Sequence, residues 1–150
     1  MPYITKTLTL AGFLILLAVL PFSALSKYGT VTVASIVSVY DGDTFRANIA
    51  NWPDIIGNNT PIRVNAVDTP EIRGKCDSEK QLAKKARDFT RQQLQRATTV
   101  ELRNIERGKY FRLIADVYID DVNLAQLLID NGLGRPYVGD KRQSWCENAS

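Results

Sequence analysis

Apolar and polar residues alternate with a two-residue period in several short runs and follow a helical period in two others. Residues 30–40 (TVTVASIVSVY) are β-branched and partly alternating, which predicts a strand. Asp41-Gly42-Asp43 is a tight-turn sequence, and Thr44 to Ile49 predicts the second strand of a hairpin. Residues 51–60 (NWPDIIGNNT) carry Pro, Gly and Asn and predict a loop. Ile62 to Val67 predicts a third strand, cut by Asp68-Thr69-Pro70, and alternation places Arg63, Asn65 and Val67 on one face. Ser78-x-x-Gln81 has capping-box form and predicts a helix with Leu82, Ala86, Phe89 and Leu94 on one side. Thr99–Ile105 and Phe111–Ile119 predict a second hairpin, turning at Arg107-Gly108. Asp121 stands where it can cap a short helix carrying Leu124, Leu127 and Leu128, and Gly132 can end it. Three strands, a helix, two strands and a helix predict an α+β protein: a five-stranded OB-type β-barrel with two to three helices.

The N-terminus follows a different pattern. Lys6 is the only charge before an apolar run from Leu8 to Leu20, which Pro21 breaks, and Ala24 and Ser26 form a small-residue cleavage signature before Lys27. This predicts a signal peptide over 1–26, a domain over 27–150, and an exported protein, periplasmic or secreted. An uncleaved membrane anchor is the alternative, since the run extended to Leu25 just reaches bilayer length. Cys76 and Cys146 are the only cysteines. In an exported chain an even pair predicts a disulfide, with two separate thiols as the alternative.

Composition narrows the chemistry. The 150 residues include no His and carry a formal charge of +3. Ser-His-Asp triads, Cys-His dyads, His-ligated zinc and any His general base are excluded. Three polar segments remain: Asp41-Gly42-Asp43-Thr44; Arg63 with Asp68-Thr69-Pro70-Glu71; and Lys109-Tyr110-Phe111-Arg112. Taken singly they read as a hairpin turn, a structural Arg–carboxylate bridge and a solvated hairpin end. Taken together they point to a hard, oxygen-ligated cation, Ca²⁺ or Mg²⁺, beside guanidiniums that suit a phosphodiester.

In their order these segments resemble the staphylococcal-nuclease-like (thermonuclease) family, from about Val33 to Tyr137. The resemblance implies an OB-type barrel that cleaves DNA and RNA with Ca²⁺ and leaves 3′-phosphate ends. It implies that Asp43 and Asp68 bind the ion through carboxylates and Thr69 through its carbonyl. Glu71 corresponds to the proposed general base, and Arg63 and Arg112 to the phosphate-binding pair. Lys109, Tyr110 and Tyr137 correspond to positions lining the nucleotide pocket. Three departures stand out, the first being a longer loop before Arg63. Phe111 replaces a usual Gly, and a Phe is expected to avoid positive φ, moving the turn to Gly108 and leaving Arg107 as an alternate for Arg112. The segment after Glu71 is shorter and carries Cys76. A nucleic-acid-binding barrel without catalysis is the competing function; the retained carboxylates argue against it, because they would repel phosphates. No stable protein partner is expected, and a membrane only if the N-terminal segment stays attached.

Overall fold

The first alternating run forms β1 (Val31–Val39), which turns through Asp41-Gly42-Asp43 into β2 (Thr44–Ile49) in the computed structural model, where residues 29–146 are described. The predicted signal segment and its cleavage point before Lys27 lie outside the described residues. β1 departs from strict alternation because its ladder with β2 shifts register twice, between Val33 and Ser35 and between Ile36 and Ser38. The predicted loop 51–60 contains one helical turn, α1 (Asp54–Gly57), entered through Pro53. Proline's fixed φ and missing N–H suit a helix start, which the composition of the loop concealed.

The third predicted strand is two. β3 (Thr60–Val64) ends, the chain turns at Asn65-Ala66 with Ala66 at φ +62°, and β4 (Val67–Asp68) starts in a new direction. Arg63, Asn65 and Val67 therefore do not share a face: Asn65 is exposed and Val67 is fully buried in the core. Next comes α2 (Asp77–Arg96). Its capping box does not form, because Cys76 is the N-cap residue and makes no side-chain cap bond. Instead buried Glu79 accepts the backbone N–H of Lys75 at 2.8 Å and of Glu71 at 3.4 Å, folding segment 71–75 onto the helix start. The buried stripe is Ala83, Ala86, Thr90 and Leu94, with Leu82 and Phe89 half-buried at its side.

β5 (Val100–Arg107) and β6 (Leu113–Ile119) form the second hairpin, with a 3-10 turn at Lys109–Phe111. β6 alternates strictly, burying Leu113, Ala115, Val117 and Ile119. β7 (Val122–Asn123) leads into α3 (Leu124–Asp130). Asn123, not Asp121, caps this helix by accepting the Gln126 N–H, and Gly132 at φ +67° ends it. β8 (Arg135–Pro136) pairs with β4.

The strand order is β3-β2-β1-β5-β6-β7, and parallel pairing of β3 with β6 closes five strands into a mixed barrel. Its interior holds Phe45, Ile62, Leu102, Ile105 and Val117, all fully buried, and α3 plugs one end with Leu124 and Leu128. The predicted α+β, OB-type architecture is therefore observed, with three α-helices among the described residues.

Candidate active site

The site begins at the β1–β2 turn. A Cβ on Gly42 would stand 2.8 Å from the Ala86 Cβ of α2 and 2.9 Å from the Thr69 Cγ2, so only glycine lets the turn sit this close. Thr90 anchors it by donating to the Gly42 carbonyl at 2.6 Å. The turn thereby carries Asp43 inward, to 1% exposure. The Asp43 Oδ1 accepts from the Thr44 hydroxyl at 2.9 Å and pairs with the Arg63 Nη1, while its Oδ2 accepts the Thr69 N–H at 3.1 Å.

Arg63 is on the outer barrel surface, since its neighbours Ile62 and Val64 point inward, yet it is only 8% exposed. Its Nη2 donates to the Val67 carbonyl at 3.2 Å and lies 3.7 Å from the Asp68 Oδ1. The Tyr137 ring stands over its guanidinium at 6.0 Å, placed there by the Tyr137 N–H bond to the Ala66 carbonyl. The reversal at Ala66, not strand alternation, brings Arg63 and Asp68 together. Asp43, Arg63, Asp68, Thr69, Glu71 and Tyr137 thus gather at one end of the barrel.

Three further residues join them: Asp41, named from the sequence only as part of its turn segment, and Arg142 and Trp145, which sequence reasoning left out. Asp41 is buried in the same turn, and burial, followed by the nearby Asp43 and Glu71 charges, raises its pKa to about 7. Arg142 contacts two carboxylates, with its Nε 2.9 Å from the Asp68 Oδ1 and its Nη1 paired to the Glu71 Oε1. Although burial opposes its charge, the Glu71 hydrogen bond and the Asp68, Glu71 and Asp43 charges push its pKa further up. Trp145 donates its indole N–H to the Asp68 Oδ2 at 3.1 Å. The sequence held a pointer to the last two: Cys76 follows Glu71 closely, so a Cys76–Cys146 bond brings residues near 146 to the site. That bond is present, with 5.9 Å between the Cα atoms.

Lys109, Tyr110 and Arg112 are not part of this cluster. They line an adjoining cavity of about 420 Å³ together with Tyr40, Thr44 and Arg46. Arg112 immediately precedes β6 in extended backbone, two residues before Ile114, the register partner of Arg63 on β3. Both guanidiniums therefore occupy one outer face of the barrel. Among the described residues Arg112 forms no ion pair, and its buried Nε lacks a hydrogen-bond partner. Arg107 instead donates to the Phe111 carbonyl at 3.2 Å and stacks 5.7 Å from the Phe111 ring.

The expected backbone of this hairpin is corrected. Tyr110 and Phe111 both have φ +58°, whereas Gly108 has φ −86°. Left-handed backbone costs a non-glycine residue about 1–2 kcal/mol. The loop accepts it because Gly108 N–H and Arg112 N–H close on Arg112 and Lys109 carbonyls at 2.7 and 3.2 Å. The aromatic rings are left in solvent, Tyr110 91% and Phe111 81% exposed.

Residues 61–148 match the staphylococcal nuclease homologue family. The chain belongs to that family. A search of curated proteins gives no match. Staphylococcal nuclease homologues are nucleases or nucleic-acid-binding proteins and generally depend on calcium. The donors gathered here fit such an ion. Asp41, Asp43, Asp68 and Glu71 offer only oxygen, the preference of a hard cation. The buried Asp68 Oδ1 has no directed hydrogen bond despite the nearby Arg142 charge, leaving a lone pair to coordinate. Cys76, Glu79 and Cys146 also converge, but the two sulfurs are bonded to each other and offer no thiolate.

Proposed function

We propose that this protein is an exported, calcium-dependent nuclease that hydrolyses phosphodiester bonds of DNA, RNA or both, largely without sequence preference, and leaves 3′-phosphate ends. The observation that carries the reading is the convergence of four carboxylates with Arg63 on the barrel face that also presents Arg112. Asp43, Asp68 and the Thr69 carbonyl would hold the ion, whose chemistry is Lewis-acid polarisation of the phosphate.

The chain's own groups do the rest. Asp43 is held by Arg63, Thr44 and the Thr69 N–H, so its oxygens need little reorganisation. Arg63 and Arg112 stabilise the charge that develops on the equatorial phosphate oxygens, a term of several kcal/mol at a preorganised site. Glu71 takes a proton from the attacking water. Lys109 contacts the phosphate backbone, and Tyr110 and Tyr137 offer ring faces for bases, worth about 1–3 kcal/mol per stacked base. The leader 1–26 would export the domain 27–150, and the disulfide fits an oxidising compartment.

One observation favours a second reading. Arg142 and Trp145 already engage Asp68 and Glu71, as in a barrel that binds nucleic acid without cutting it. Purified protein assayed on single- and double-stranded DNA and on RNA, with Ca²⁺, Mg²⁺ or a chelator, separates the two. Cleavage that requires Ca²⁺ supports the nuclease, and retention of nucleic acid with no cleavage under any condition supports the binder.

A further inference from the structure

The C-terminal segment is fastened at both ends and open in between. At one end β8 pairs with β4, and Tyr137 bonds to Ala66. At the other, Cys146 is bonded to Cys76 at the start of α2. The Arg135 guanidinium stacks 3.8 Å from the Trp145 ring and donates to the Ser144 carbonyl at 3.0 Å. Residues 138–144 between these anchors are exposed and form no regular structure. From this span Arg142 reaches Asp68 and Glu71, and beside it Trp145 reaches the second Asp68 oxygen.

The Asp68 Oδ2 and one Glu71 oxygen thus accept from donors carried by the tail, and the Arg142 charge stands beside the Asp68 Oδ1 without a directed hydrogen bond. A divalent cation bound by Asp68 needs the same oxygens, and a proton acceptor at position 71 needs its guanidinium partner removed. The tail and the ion compete for one set of acceptors, and the disulfide keeps the tail in range. We propose that Arg142 and Trp145 are positioning residues which hold Asp68 and Glu71 in the ion's place, so that the Cys76–Cys146 disulfide sets the site's affinity for a divalent cation. The inference rests on the reading of Asp43 and Asp68 as ion ligands.

The energetic form is a competition. When the binding-competent state is only a fraction of the population, apparent affinity falls by that fraction. Removing the tail's charge, or its tether, raises that fraction. Removing an equal charge that touches neither carboxylate tests whether net charge alone explains the effect, and exposed Lys141 supplies that control.

Titration calorimetry with Ca²⁺ on the full chain tests this directly. Arg142→Gln should bind Ca²⁺ about 10-fold more tightly than the oxidised wild type, and Lys141→Gln should not. Reduction of the disulfide should tighten wild-type binding toward the Arg142→Gln value and change Arg142→Gln little, with circular dichroism checking that the fold survives. Asp43→Ala should abolish the heat in every background, assigning it to this site. In a Trp52→Phe background, Ca²⁺ should shift Trp145 fluorescence to the red as its N–H leaves Asp68. Equal affinities for wild type and Arg142→Gln, or ion binding with Trp145 emission unmoved, overturn the inference and leave the proposed nuclease standing. Absence of Ca²⁺ binding in both proteins overturns the inference and the calcium assignment together.

Discussion

Arg63 and Asp43 are paired where each is almost fully buried, and the pair answers to two demands. Removing one partner of a buried pair leaves an uncompensated charge, at a cost of about 3–5 kcal/mol. Arg63→Ala should therefore melt earlier than wild type and, at a temperature where it is folded, lose about 10²-fold or more in turnover. Its Ca²⁺ affinity should be kept or slightly improved, because a cation beside the carboxylates has gone. Lysine at 63 should restore little, lacking the fork that reaches Asp43 and the Val67 carbonyl at once. Asp43→Ala should lose ion binding and cleavage together. Calorimetry and a cleavage assay on the same samples separate these outcomes. The other guanidinium is judged the same way. Arg112 has an unpartnered Nε in the groove, whereas Arg107 is spent on Phe111. Arg112→Ala should thus cripple cleavage and Arg107→Ala should leave it within a few-fold; the reverse order would show that Phe111 has moved the phosphate site.

At the scale of elements, the β1–β2 turn is aligned by its seat on α2. Gly42→Ala would push a methyl group against Ala86 and Thr69, and overpacking of this kind costs about 1–3 kcal/mol. Because Asp41 and Asp43 flank Gly42, cleavage should fall more than stability does. Denaturant unfolding beside initial rates measures both, and full activity in a destabilised variant would disconnect the turn from the site. At the opposite end of the β5–β6 hairpin, Asp120 ties strand to loop. It accepts the Thr99 and Thr98 N–H groups at 2.8 and 3.0 Å. The Thr99 bond first, then the Thr98 bond, hold its pKa below the usual carboxylate value. Its contribution is therefore present above the unfolded value near 4 and lost as pH falls through the folded value. Asp120→Asn should melt below wild type at pH 7, and the two melting curves should converge in acid below about pH 4.

For the molecule as a whole, the disulfide spans 70 residues and joins the start of α2 to the end of the described chain. On the loop-entropy model this constraint contributes about 4 kcal/mol. Oxidised and reduced protein compared by thermal melting should differ in that direction, and mass spectrometry after alkylation reports whether the bond exists in protein from its native compartment. Two freely alkylating thiols there would remove both the stabilisation and the tether on Arg142.

What was legible in the chain itself was local. Alternation in residues 113–119, the Asp-Gly turn and the Gly132 stop depend on neighbours a few positions apart, and each forms where it was expected, although the strand begins at Leu113 and not at Phe111. The absence of His and the order of Asp43, Arg63, Asp68, Glu71 and Arg112 pointed to the family for the same reason, since residue type and spacing survive without coordinates. Failures came where tertiary contacts outweighed local preference. Ala66 takes a left-handed turn because β4 must pair with β8, and Glu79 turns inward to satisfy segment 71–75, leaving the capping box unmade. Phe111 carries a positive φ because the hairpin closes on Lys109 and Arg112. Arg142 and Trp145 meet Asp68 more than 70 positions away, a contact that no periodicity encodes. Chain reversal and covalent closure decide such contacts, because the free energy that selects them belongs to the assembled barrel and its tether.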